Sequence, residues 1–161
     1  MAVTRVYRYG QAADVAALVA IDASTSLNPW TAKQLAAACD GEAGSRAWML
    51  VVETGGLVAG FAALSSVLDE VSILSIAISP QQQRQGLGQS LLQAALERAG
   101  RAGAIRCLLE VRESNVAARH LYTRNGFVLD GVRKNYYPAD GGREDALLMS
   151  KQLEGTANEC A

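Results

Sequence analysis

Gln83-Arg84-Gln85-Gly86-Leu87-Gly88 spells Q-x-x-G-x-G and is the stretch on which the fold turns. Before it, residues 71–78 are apolar and rich in β-branched side chains, a strand pattern closed by Pro80. After it, Leu91, Leu92, Ala95, Leu96 and Ala99 repeat at helical spacing, and Gly100 is expected to stop the helix. Glycines at such a strand-to-helix junction let the backbone turn tightly and present N–H groups with no Cβ in the way. The helix start adds orphan N–H donors and the positive end of the macrodipole. Together they suit a pyrophosphate, and Arg84 can add a charge-assisted contact. The same two glycines also serve an ordinary turn, and the motif alone does not separate the two. A P-loop fits worse, because Gln89 follows Gly88 where Lys-Ser/Thr is needed. A Rossmann fingerprint lacks its third glycine and its early position.

Working outward, the strand at residues 71–78 is irregular. Val71 and Ile73 share one face by period 2, whereas Leu74, Ile76 and Ile78 share the other. A β-bulge between Ile73 and Leu74 gives this phase slip, and a strand buried on both faces gives it equally. Towards the N-terminus, residues 48–53 and 57–64 read as strands joined by Thr54-Gly55-Gly56, a hairpin signal. Residues 3–9 read as a first strand, residues 11–24 as an Ala-rich helix, and Asn28-Pro29-Trp30 as a turn. Thr31 and Gln34 form a capping box ahead of a second helix that runs to about Cys39. Towards the C-terminus come an apolar strand at residues 105–111 and a short helix capped by Ser114 or Asn115 and closed by Asn125-Gly126. The last strands are expected at residues 127–129 and 146–149, with a loop carrying Asn135-Tyr136-Tyr137-Pro138 between them. The sum is a single α/β domain over residues 1–153, with one mixed sheet and helices on both faces, followed by a tail at 154–161.

The 161 residues are half hydrophobic and 19% charged, which suits one globular core and excludes a disordered chain. A net charge of −1 supplies no global field for nucleic acid or an anionic membrane. Cys39, Cys107 and Cys160 are scattered and odd in number, so neither a disulfide framework nor a metal site is expected. No apolar stretch reaches membrane-spanning length, and the start lacks the pattern of a secretory signal. A cytoplasmic location is the corresponding expectation.

Two side chains stand out chemically. Glu110 lies near the end of the strand that follows the glycine-loop helix, where open α/β sheets place their sites, and alternates with the apolar Leu109 and Val111. By its residues alone it is either a solvent-facing glutamate or a general base. Tyr122, about two turns after Asn115, is either a core tyrosine or a proton donor, since a phenol of pKa ~10 is protonated at neutral pH. Asn115 itself is a helix cap, a ligand contact, or both. His120, two residues from Tyr122 and so on another helix face, reads as a surface or packing residue.

The order strand, Q-x-x-G-x-G, helix, strand, then Asn115 and Tyr122 ahead of Asn125-Gly126-Phe127 resembles the GCN5-related N-acetyltransferase (GNAT) family. The resemblance runs from about Val3 to Leu153. It implies a mostly antiparallel mixed sheet with a bulged, splayed central strand, and acetyl-CoA as co-substrate with no metal. It implies that Arg84, Gln85, Gly86, Leu87, Gly88 and Gln89 hold the pyrophosphate. It also implies that Ile76, Ala77 and Ile78 pair by backbone with the pantetheine arm, that Asn115 touches the cofactor, and that Tyr122 sits beside the sulfur. The runs 109–115 (L-E-V-R-E-S-N), 133–138 (R-K-N-Y-Y-P) and 142–146 (G-R-E-D-A), with Asn28-Pro29-Trp30-Thr31, resemble a narrower bacterial group within that family. Its members acetylate the N-terminal alanine of a small-subunit ribosomal protein. That likeness implies Glu110 as general base, Tyr122 as general acid, and the Tyr136-Tyr137 segment as a substrate-binding element. Acidic Asp69, Glu70, Glu144 and Asp145 are candidates to attract the cationic acceptor. Two other functions keep the same loop: acetylation of lysine, a polyamine or another small amine, and a non-catalytic acetyl-CoA-binding module.

Overall fold

The structure, a computed structural model, describes residues 4–153. Residues 154–161, expected to be a tail, lie outside the described residues. In chain order the elements are β1 (Arg5–Tyr9), α1 (Val15–Thr25), α2 (Ala32–Ala37), β2 (Trp48–Thr54), β3 (Leu57–Val67), β4 (Glu70–Ile78), α3 (Leu87–Arg101), β5 (Arg106–Arg112), α4 (Val116–Arg124), β6 (Val128–Ala139) and β7 (Gly142–Gln152). The strands form one sheet in the order β1-β2-β3-β4-β5-β7-β6. Only β4 and β5 run parallel, because α3 is the crossover between them; every other neighbour is antiparallel.

Each face of the sheet has its own core. Leu87, Leu91, Leu92, Ala95 and Leu96 of α3 pack with Leu50, Val52, Val71, Cys107 and Leu109 on one side. Leu18 and Ile21 of α1 and Leu35 of α2 pack with Met49, Val51, Phe61 and Ala63 on the other. The Thr31 capping box is present, with the Thr31 hydroxyl accepting from Gln34 N–H at 3.2 Å and Gln34 Oε1 accepting from Thr31 N–H at 2.8 Å.

The phase slip in β4 is a bulge. Leu64 pairs with Ile73 and Ala63 with Ser75, which leaves Leu74 as the extra residue. Leu74 therefore turns out to 50% exposure, while Ile76 and Ile78 return to the face of Val71 and Ile73 and pack against the α3-side core. Parallel pairing with β5 covers only Glu70 to Ile73, opposite Arg106 to Leu109, and stops at the bulge. Beyond it β4 follows β3 alone, opposite Ala63 to Gly60, so β4 and β5 splay.

Two expectations fail at element ends. Gly100 does not stop α3; the helix runs to Arg101 and the left-handed residue after it is Gly103, at φ 105°. Gly100 lies one turn too early because α3-side packing continues through Ala99 and is followed by buried Ala104. The segment Asn135–Pro138 is not a loop but part of a long β6–β7 hairpin whose turn is Asp140-Gly141. Arg133 pairs with Ala146 and Tyr137 with Glu144, so three residues of β6 bulge opposite Asp145 alone. Ten of the twelve β6 residues are exposed, so no apolar alternation marks the strand.

Candidate active site

The glycine loop presents backbone N–H groups at the start of α3. Gly86 caps α3 in the left-handed region at φ 76°, with no atom within 4 Å of where a Cβ would stand. Ser90 N–H is the first to close the helix, on Gly86 O at 3.1 Å; the N–H groups of Leu87, Gly88 and Gln89 precede any helical acceptor. Arg84 also adopts positive φ, 64°. Arg5 of β1 donates to the backbone oxygen of Gln85 and to Ser90 Oγ at 3.2 Å, bracing the loop from across the sheet. Nothing in the sequence pointed to Arg5, since the contact spans 80 residues or more.

From this loop a cleft of about 910 Å³ runs along β4 and α4, bordered by Ile76, Ala77 and Ile78 on one side and by Asn115, Leu121 and Arg124 on the other. His120 is exposed, as expected, and lies at this border. Ile78 stands opposite Gly60, and the adjoining ladder bond runs from Ser79 N–H to Ala59 O at 2.7 Å. Ile78 is therefore in a non-hydrogen-bonded pair, and its own N–H and C=O point away from β3 towards the splay. Gln83 Nε2 donates to that C=O at 3.0 Å, which leaves the N–H facing the gap.

A second cavity of about 420 Å³ continues beyond β4. It shares Ile76, Ala77, Asn115 and Ala118 with the first, and it contains both Glu110 and Tyr122. Glu110 alternates with buried Leu109 and Val111, keeps 34% of its side chain exposed, and lies 3.5 Å from an Arg133 guanidinium nitrogen. Tyr122 is buried, edge-on to Phe127 at 5.5 Å, and burial pushes its phenol well above the ordinary value. Asn115 caps α4 by accepting from Ala118 N–H at 3.2 Å and borders both cavities, so both of its candidate roles are geometrically open. The end of α1 forms the opposite wall with Asp22 and Thr25; buried Asp22 accepts from Trp30 N–H at 2.7 Å and so fixes the loop between α1 and α2.

Tyr137 joins the cavity from the hairpin, under the Arg112 guanidinium at 4.4 Å. Its phenol is pushed up by burial and, secondarily, by the Glu110 charge. The acidic residues considered for attracting the acceptor are otherwise engaged. Glu144 accepts from Arg112 at 2.9 Å and from Ser114 N–H and Oγ at 3.1 and 3.0 Å, and the Arg112 guanidinium holds its carboxyl below the usual range. Asp145 accepts from Asn135 N–H at 2.9 Å and from Lys134 at 3.2 Å; Glu70 pairs with Arg106 at 3.5 Å. Asp145 braces the hairpin because the β6 bulge leaves the Asn135 N–H in need of an acceptor. Asp69 lies in the β3–β4 turn, outside the cavity lining. Cys107 is a buried small hydrophobe, its thiol pushed up to about 12 by burial.

A family model described as the acetyltransferase (GNAT) family matches residues 15–127. The chain belongs to that family. GNAT enzymes take acetyl-CoA as acetyl donor, and in this acetyltransferase a cleft lies beside the glycine loop. The [ribosomal protein bS18]-alanine N-acetyltransferase of Escherichia coli K12 is 38% identical over 137 residues, covering 85% of this chain and 90% of the relative. The crystal structure of the ribosomal-protein-S18-alanine N-acetyltransferase from Escherichia coli superposes with a TM-score of 0.85 at 35% identity, over 94% of this chain and 95% of that one. YncA of Salmonella typhimurium, solved with its cofactor acetyl-CoA, shares the fold at a TM-score of 0.80 and 23% identity, over 95% of this chain and 96% of that one. No helix among the described residues is long and apolar enough to cross a membrane.

Proposed function

We propose that this acetyltransferase transfers an acetyl group from acetyl-CoA to the α-amino group of the N-terminal alanine of a small-subunit ribosomal protein of the bS18 type, with Glu110 as general base and Tyr122 as general acid. One observation carries the chemistry: the cleft beside the glycine loop adjoins the cavity lined by Glu110 and Tyr122, the two sharing Ile76, Ala77, Asn115 and Ala118. The acceptor identity is supported by the relatives' named substrate at 38% identity over most of the chain.

Arg84 to Gln89 would hold the pyrophosphate, Ile76 to Ile78 would pair with the pantetheine arm, and Ile78 N–H would polarise the thioester carbonyl. Acetyl-CoA supplies an acyl group whose leaving atom is a thiolate sulfur. The amine nitrogen forms the new C–N bond as the C–S bond breaks; the amine gives up one proton and the sulfur takes one up. At pH 7 about a tenth to a sixth of an α-amine of pKa ~7.7–8.0 is neutral, against about four in ten thousand for lysine at ~10.4. A half-exposed carboxylate such as Glu110, acting directly or through one water, is base enough for the former. Burial keeps Tyr122 protonated, so its phenol is available to the departing sulfur. Tyr122 donates a hydrogen bond as charge builds on sulfur, passes its proton to the departing thiolate, and regains one from water.

The deciding experiment pairs acetyl-CoA with a peptide that begins with alanine and contains one lysine, and with the same peptide blocked at its α-amine. Mass spectrometry should place the acetyl group on the free N-terminus only. Lysine modified in both peptides would refute the α-amine assignment and favour lysine or small-amine acetylation. Acetyl-CoA bound with transfer to neither would favour a binding module.

A further inference from the structure

The sheet face that carries α1 and α2 is only half covered. Both helices pack on β2 and β3, against Met49, Val51, Phe61 and Ala63. Farther along the same face, Leu108 and Glu110 of β5 stand beside Ser150 and Leu148 of β7, and neither leucine belongs to the core that α1 and α2 make with the sheet. Leu108, Leu148 and the outturned Leu74 floor an open groove of about 510 Å³, rimmed by Asp130 and Arg133 of β6. Gly131, opposite Leu148, adds no side chain, and a Cβ there would lie 3.8 Å from Leu148 Cδ1.

The groove adjoins the acceptor cavity: both are lined by Ile73, Leu74, Glu110 and Tyr137. An amine placed at Glu110 therefore has the rest of its chain at the mouth of an apolar trough. Rim charges already have opposite partners, Arg133 with Glu110 at 3.5 Å and Asp130 with Arg106 at 3.6 Å, so the trough reads apolar shape rather than charge. An extended chain advances ~3.3 Å per residue, which brings residues two to four of an acceptor over Leu74, Leu108 and Leu148.

We infer that this groove binds the acceptor polypeptide beyond its acetylated residue and selects an apolar side chain within the next three positions. The inference rests on the α-amine acceptor proposed above. A small amine or an isolated lysine side chain would leave the groove empty.

The test is kcat/KM for alanine-initiated peptides of a Gly/Ser background carrying one leucine at position two, three or four, measured beside the leucine-free peptide. Leucine at one of these positions should raise kcat/KM about tenfold, mainly through KM, as expected for part-burial of one aliphatic side chain. Leu148→Ser and Leu108→Ser should each shrink that ratio between peptides. Equal rates for all peptides, each acetylated at its α-amine, would overturn the groove while leaving the acceptor reading intact. No α-amine acetylation of any peptide would remove both. A Leu148→Ser variant that loses a dimer in sedimentation but keeps the leucine preference would assign the face to a second copy of the chain and overturn the inference.

Discussion

At position 110 a carboxylate keeps a third of its side chain open, faces a cavity, and among the described residues is tied only to Arg133 at 3.5 Å. Such a group takes a proton from an amine that is already near its own pKa, and general-base assistance of this kind contributes ~10²–10⁴-fold. Glu110→Gln is therefore expected to lower kcat by that order with acetyl-CoA affinity retained; calorimetric binding beside steady-state rates checks both, and a variant with normal turnover would remove Glu110 from the mechanism. Tyr122→Phe keeps the packing against Phe127 and removes only the donor, so a fall of about 10–10²-fold in kcat is expected. The pH profile separates the two roles. With Tyr122 raised by burial, its donor form persists past the ordinary ~10. kcat/KM should rise through about pH 8 as the α-amine deprotonates and stay level to about pH 10. A fall already complete by pH 9 would show that Tyr122 is not the donor. The sequence made Glu110 and Tyr122 visible as candidates, through alternation with Leu109 and Val111 and spacing from the Asn115 cap. It did not show Arg5 on the loop or Tyr137 under Arg112, because both contacts depend on distant strands brought together by the sheet.

At the scale of the element, β4 does most to shape the site. Its bulge at Leu74 was legible as a phase slip, though residues alone left a doubly buried strand equally open; the register decides, because Ile76 and Ile78 rejoin the face of Val71 and Ile73. The β6–β7 hairpin was legible only in part, since a strand exposed on both sides carries no alternation and its ends cannot be read from apolar spacing. The splay also depends on how closely β3 approaches β4. A Cβ on Gly60 would stand 2.5 Å from Ile78 Cδ1 and 2.7 Å from Ala77 O, one of them backbone. Gly60→Ala must shift β4 at the residues that border the cleft. It is expected to cost about 1–3 kcal/mol in stability and to weaken acetyl-CoA binding, whereas glutamate chemistry at 110 is untouched. Denaturant unfolding and cofactor titration check this; a variant of unchanged stability and affinity would mean that β4 yields freely and that the splay is not held from β3.

Across the whole molecule, the sheet consists of two antiparallel sets, β1-β2-β3-β4 and β5-β7-β6. They meet in four parallel pairs, Glu70 to Ile73 with Arg106 to Leu109, and part beyond the bulge. The cleft lies where they part, bordered by β4 of one set and by α4, which follows β5 of the other. A molecule bound there touches both sets and adds contacts that the open end of the sheet lacks. Binding to the folded chain alone stabilises by RT ln(1 + [L]/Kd), about 2.7 kcal/mol at a hundredfold excess over Kd. For a domain of this size that corresponds to a rise in Tm of about 5–10 °C. Acetyl-CoA should give this rise, and hydrogen exchange should slow at Ile76 and Ile78, whose N–H groups face away from β3, more than at Val71 or Ile73, which lie in the joined part of the sheet. The comparison at Ile78 is the sharper, since its C=O is already held by Gln83 and only the N–H remains to gain a partner. A thermal shift with exchange unchanged along β4 would place the ligand elsewhere and would remove the splay from the account of binding.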